Sequence, residues 1–198
     1  MIVPLAEAVL RLARAELVAY PTETVYGLGA DAFSPAALAR LRALKGREAE
    51  RGLSVLVADA GALARQAAPL PRAAALLAAR FWPGPLTLVV PVADPRFAGV
   101  RTPLGVGFRC SSQPTASALA RAAEQPLVST SCNRSGSPPC STAAEIERAF
   151  GPALAILGGE PASGLAPSTV VAVGSDGALT CLREGSISFA ELERFLTA

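Results

Sequence analysis

Apolar positions recur along the chain at two spacings, and each spacing marks an element. Leu5, Ala8, Val9, Leu12 and Ala13 follow the 3.6-residue period and predict a helix over 4–16. Leu17–Tyr20 is instead a continuous apolar run stopped by Pro21, the pattern of a short buried strand. Ser34 before Pro35 offers a hydroxyl cap and a residue preset for the first turn. A helix therefore starts there and reaches about 44, with Leu38, Leu41 and Leu44 on one face. Further strands are predicted over 53–58, 86–90, 106–110, 127–130, 153–157, 169–173 and 179–183. Further helices are predicted over 61–68, 72–81, 114–123 and 142–150, and from the Ser188 cap to 196. This alternation predicts an α/β fold, and the closely spaced late strands predict antiparallel pairs, hence a mixed sheet. There is no internal repeat. The Gly/Pro-rich stretch 158–167 lies between two strands of one core, so the expectation is a single domain over 1–198.

Composition changes this picture little but excludes much. With 51% hydrophobic residues and mean hydropathy +0.39, the chain can bury a large core. A net charge of +2 argues against wholesale coating of nucleic acid and leaves room for a local basic groove. Glu7, Arg11, Arg14 and Glu16 interrupt the first apolar positions, and Pro83, Pro85 and Pro91 break the run 81–93. Neither a secretory leader nor a membrane span is expected, and a reduced cytoplasmic setting follows. The four cysteines, Cys110, Cys132, Cys140 and Cys181, form no C-x-x-C pair, and the chain has no histidine. That argues against zinc and removes the usual general base and the Ser-His and Cys-His pairs. Catalysis by this chain would depend on positioning and charge neutralisation.

Lys45 is the only lysine among 18 basic residues, and Asn133 is the only asparagine. In a chain so biased towards arginine, a retained lysine marks a place where a compact point charge is needed rather than a planar fork. Lys45-Gly46-Arg47 reads as an exposed cationic helix end, with either a helix cap or a phosphate clamp as its purpose. The segment Tyr20–Gly29 follows a buried strand and carries Thr22, Glu23 and Thr24. It is either a ligand loop at a strand end or a Gly-rich turn whose threonines bond their own backbone. Ser129–Gly136 follows another strand, with hydroxyls, the lone amide and free backbone N–H groups, and suits an anion nest. Phe81–Pro85 reads as a rigid turn with its aromatics on the core, Arg109 and Arg183 end strands, and Cys132 and Cys140 read as small fillers.

Six segments, P-T-E-T-V-Y-G-L-G, K-G-R, F-W-P-G-P-L-T, V-G-F-R, S-T-S-C-N-R-S-G and P-S-T-V-V, occur in the order and near the spacing of one family. Over roughly 8–185 the chain resembles the YrdC-like (TsaC) threonylcarbamoyl-AMP synthases. The resemblance implies a twisted mixed sheet with a concave basic cavity. It implies condensation of L-threonine, bicarbonate and ATP to threonylcarbamoyl-AMP and pyrophosphate, for modification of tRNA next to the anticodon. The family's K-x-R and S-x-N tetrad falls on Lys45, Arg47, Ser131 and Asn133, implied to be catalytic and ATP-binding, with Arg183 near the nucleotide. Thr22, Thr24, Arg109, Ser129 and Ser168 are implied to hold threonine, with Arg109 on its carboxylate. Mg²⁺ is implied as a companion of ATP without dedicated protein ligands. Implied partners are the proteins that transfer the threonylcarbamoyl group to tRNA; with a net charge of +2, any binding of tRNA itself is expected to be weak and salt-dependent. The chain departs from longer relatives at Leu56, where they carry His, and its length matches the compact form without their added C-terminal domain. An RNA-binding module without catalysis, and a carbamoyl-AMP-forming domain, stand as alternatives.

Overall fold

The computed structural model describes residues 1–46, 53–123, 125–159 and 166–197. Its ten described strands are β1 (Ile2–Val3), β2 (Val18–Tyr20), β3 (Gly27–Asp31), β4 (Ser54–Leu56), β5 (Leu86–Val90), β6 (Val106–Arg109), β7 (Leu127–Ser131), β8 (Ala155–Leu157), β9 (Thr169–Val173) and β10 (Leu179–Arg183). All belong to one sheet in the order β1-β8-β2-β3-β7-β4-β6-β5-β9-β10. Four neighbouring pairs are parallel and five antiparallel, which is the mixed sheet expected.

Two apolar layers sandwich this sheet. On one face Ala8 and Leu12 of α1 (Leu5–Ala13) pack with Ala116 and Leu119 of α5 (Pro114–Ala122) over Val18, Tyr20 and Leu56. On the other face lie Leu38 and Leu41 of α2 (Pro35–Lys45), Leu63 of α3 (Ala60–Gln66) and Leu77 of α4 (Arg72–Phe81). Ile146 of α6 (Ala143–Phe150) and Leu192 of α7 (Phe189–Thr197) complete this larger cluster. The caps are those the sequence predicts: Ser34 accepts from the Ala37 N–H at 3.2 Å, and Gly46 ends α2 at φ +64°.

Strand alternation turns small and polar residues to the face that α1 and α5 cover only in part. Val55, Phe108, Leu88 and Val128 point into the larger core, so Ser54, Gly107, Thr87 and Ser129 point the other way. Register aligns them across the sheet: Gly29 opposite Ser129, Ser129 opposite Ser54, Ser54 opposite Gly107, and Arg109 opposite Thr87. A polar floor results at the middle of the sheet.

Two strands escape the sequence reading. Ile2–Val3 is too short to show a period, yet it pairs with β8 at the sheet edge. Gly27–Asp31, within and just beyond the segment read as a Gly-rich turn, is a full strand between β2 and β7. Its glycines make room for an aromatic ring across the ladder. A Cβ on Gly27 would lie 2.7 Å from Cζ of Tyr20, and one on Gly29 would lie 3.1 Å from Cε1.

Candidate active site

A cavity of about 770 Å³ opens above the polar floor, a size typical of small-ligand sites. Every described residue that the resemblance implies for substrate binding or catalysis borders it; Arg47 lies outside the described residues.

Lys45, Ser131 and Asn133 form one end. Lys45 closes α2, yet it is not the exposed cation expected there: only 3% of its surface is accessible. Its ammonium donates to the Ser131 carbonyl at 2.6 Å, the Asn133 carbonyl at 3.1 Å and Asn133 Oδ1 at 3.2 Å. Asn133 Oδ1 also accepts from the Ser131 hydroxyl at 2.7 Å, while Nδ2 donates to the carbonyls of Arg134 and Ser137. The Ser135 N–H returns to the Lys45 carbonyl at 2.9 Å. The lone lysine and the lone asparagine thus hold one loop between them. An asparagine suits because it offers acceptor and donors on one side chain.

The Thr22–Thr24 turn and Arg109 form another wall. Thr22 Oγ1 accepts from the backbone N–H groups of Thr24 and Val25, the self-satisfied turn that the local reading allowed. Thr24 Oγ1 accepts from Arg109 Nη2 at 2.9 Å, and the same nitrogen donates to Glu23 Oε1 at 2.9 Å. Glu23 Oε2 accepts from Ser111 Oγ. Arg109 is 8% exposed, and its Nε is buried with no hydrogen-bond partner. An orphaned buried donor of a cation is costly unless a ligand satisfies it.

Ser129 sits between these two regions. Its Oγ accepts from the Tyr20 hydroxyl at 2.8 Å, and its carbonyl accepts from Ser54 Oγ. Burial pushes the Tyr20 phenol up to about 12, so it remains a donor at neutral pH. On the far side Ser168 Oγ lies 3.1 Å from Thr87 Oγ1 and 3.0 Å from Arg183 Nη2. Arg183 is exposed at the cavity rim and also donates to the Ser168 carbonyl at 2.8 Å. Desolvation, then the Arg109 charge, lowers its guanidinium from the ordinary value. Among the described residues, the cations lining the cavity are Lys45, Arg109 and Arg183.

Other sequence expectations resolve plainly. Trp82 is buried and donates its indole N–H to the Leu86 carbonyl at 2.8 Å, so the Phe81–Pro85 turn packs on the core. All four cysteines are free thiols, and Cys132 and Cys140 are buried in the core as fillers. Leu56 is buried in the apolar layer under α1 and α5. Sequence reasoning passed over Tyr20, Glu23, Ser54, Thr87 and Ser111 as site residues. For Ser54 and Thr87 the available signal was a single polar residue within an apolar strand, whereas Glu23 and Ser111 lie outside the strands and carry no such signal.

Residues 11–185 match the family model for Sua5, YciO and YrdC proteins, whose description is "Telomere recombination". The chain belongs to the Sua5/YciO/YrdC family. A curated relative from Chromohalobacter salexigens, named threonylcarbamoyl-AMP synthase, is 43% identical over 169 residues, covering 84% of this chain and 90% of the relative. One from Halorhodospira halophila with the same name is 41% identical over 174 residues, covering 86% and 90%. The solved structure of P. abyssi Sua5 complexed with L-threonine superposes with a TM-score of 0.88 at 32% identity, over 99% of this chain and 61% of that longer protein. E. coli YciO shares the fold, with a TM-score of 0.81 at 23% identity.

Proposed function

We propose that this family member is a threonylcarbamoyl-AMP synthase. It would condense L-threonine, bicarbonate and ATP into threonylcarbamoyl-AMP and pyrophosphate for tRNA modification in the cytoplasm. The observation that carries this reading is the Arg109 guanidinium at the wall of a cavity whose other end holds the Lys45 ammonium. A carboxylate satisfies the first, and a polyphosphate complements the second. Relatives bearing that activity as their name, and a threonine complex of the same fold, support the assignment.

The threonine carboxylate would meet Arg109, with Thr22, Thr24, Ser129 and Ser168 around the amino acid. The threonine ammonium first gives up a proton to solvent, and the resulting amine takes up bicarbonate to form an N-carboxylate, releasing water. A carboxylate oxygen then attacks the α-phosphorus of ATP, and the bond to the pyrophosphate oxygen breaks. Proton transfer at phosphorus is minor in such a displacement, so alignment and charge neutralisation dominate, which suits a chain without histidine. Lys45 places its ammonium beneath the triphosphate while bracing the 131–137 loop. Ser131 and Asn133 complete that end, Arg183 meets the nucleotide, and Arg47, as the second cation of the K-x-R motif, would add charge for the triphosphate. Mg²⁺ enters as part of the ATP substrate. The product passes to proteins that transfer the threonylcarbamoyl group to tRNA, and tRNA itself binds weakly, with affinity falling as salt rises.

Mass spectrometry of a reaction containing ¹³C-bicarbonate tests the reading. The expected product is an adenylate that contains threonine and carries one ¹³C. An unlabelled threonyl-adenylate, or no adenylate, would overturn it.

A further inference from the structure

Arg109 has more donors than the cavity uses, and their disposition shows how it is held. Both N–H groups of Nη2 are spent inside the protein, one on Glu23 Oε1 and one on Thr24 Oγ1, each at 2.9 Å. The Nε is left without a partner. Behind this contact the Glu23 carboxylate is anchored in turn: its Oε2 accepts from Ser111 Oγ, and Ser111 Oγ also accepts from the Gln113 N–H at 3.2 Å. Both side chains of the Arg109–Glu23 pair are only 10% exposed. Thr22 and Thr24 border the cavity, whereas Glu23 and Ser111 do not.

We propose that Glu23 is a positioning residue which, anchored by Ser111, fixes the Arg109 guanidinium at the cavity wall where it meets the carboxylate of the amino-acid substrate. This rests on the reading of the cavity as a threonine site. A flexible arginine at the end of a strand would otherwise sample many rotamers, and an incoming carboxylate would have to order it. The Glu23 contact removes that freedom before the substrate arrives. It also compensates the charge of a buried guanidinium, which would be costly unpaired. Glu23 is not placed to take a proton from the substrate amine, since it stands outside the cavity and its oxygens face Arg109 and Ser111.

Steady-state kinetics and calorimetric threonine binding on Glu23→Gln and Ser111→Ala test the assignment. Glu23→Gln keeps the shape and loses the charge. It should raise the KM and Kd for threonine about tenfold, leave the KM for ATP unchanged and hold kcat at saturating threonine within about threefold. Ser111→Ala removes only the anchor and should move the threonine constants the same way by about threefold. It keeps the proposal under test if Glu23→Gln does not fold. Unchanged threonine constants, or equal rises in both KM values, would overturn the positioning role while leaving the enzyme reading intact. A wild-type protein that binds no threonine would remove the site reading itself, and this proposal with it.

Discussion

The ammonium of Lys45 donates to the main-chain carbonyl of Ser131 at 2.6 Å, joining the end of α2 to the end of β7. Two segments far apart in sequence are tied at one point by the only lysine of the chain. The compact ammonium, rather than a guanidinium, fits because Lys45 is buried and three acceptors converge on a single nitrogen.

Lys45→Arg should therefore lower stability as well as activity. A guanidinium cannot bring one nitrogen to the three acceptors that the ammonium meets, and leaving such partly buried groups unpaired costs about 1–3 kcal/mol. That corresponds to a fall in thermal midpoint of roughly 2–10 °C for a chain of this length. An exposed helix-end cation would accept arginine silently. Differential scanning fluorimetry on this variant separates the two, and an unchanged midpoint would contradict that bonding.

Asn133→Asp should damage the same loop. The substitution removes the Nδ2 donors to the Arg134 and Ser137 carbonyls and turns an acceptor towards them. Arg134 and Ser137 are exposed, so water replaces the lost donors and the stability loss should stay below about 1 kcal/mol. Pyrophosphate release should fall on the order of 10²-fold, because displacement of such a site by about 1 Å has that effect. A fully active Asn133→Asp protein would contradict the bracing role.

Gly27→Ala should be more harmful than Gly29→Ala. The new methyl would meet Tyr20 Cζ at 2.7 Å in the first case and Tyr20 Cε1 at 3.1 Å in the second. Displacing that ring also breaks its hydrogen bond to Ser129. Overpacking of this kind costs about 1–3 kcal/mol. Urea unfolding of the two variants checks the order, and equal midpoints would contradict the close ring contact.

Most elements were legible because their periods are local. The helix over Arg72–Phe81 and the strand over Leu86–Val90 match their predicted bounds, each stopped by nearby prolines. The strand Gly27–Asp31 was not legible, because glycine carries no β propensity. What makes it a strand is Tyr20, a residue on another strand whose ring needs the space. The loneliness of Lys45 and Asn133 pointed to one site, but their direct contact and the burial of Lys45 depend on tertiary packing that composition does not encode. Glu23 was hidden for the same reason: its meaning lies in Arg109 and Ser111, over eighty residues away.

Thiol reactivity reads the packing independently. Burial pushes the Cys132 thiol up to about 12 and raises those of Cys110 and Cys140, while Cys181 is exposed. At pH 8 iodoacetamide should modify one thiol quickly, at Cys181, and reach the other three only after unfolding. The same shift has a sign for stability. Between about pH 9 and about 12 the unfolded chain loses the Cys132 proton while the folded chain keeps it, so stability falls as pH rises through that window. Peptide mapping after alkylation checks the first, and rapid native labelling at Cys132 would contradict it.

The most direct test of the central claim is pyrophosphate release from MgATP by the purified protein, measured with threonine and bicarbonate present together, singly and not at all. The account predicts release only when both are present, without any tRNA, and slower release when serine replaces threonine, since a lost methyl contact is worth about 1–3 kcal/mol. Release at the same rate without threonine or without bicarbonate would contradict it.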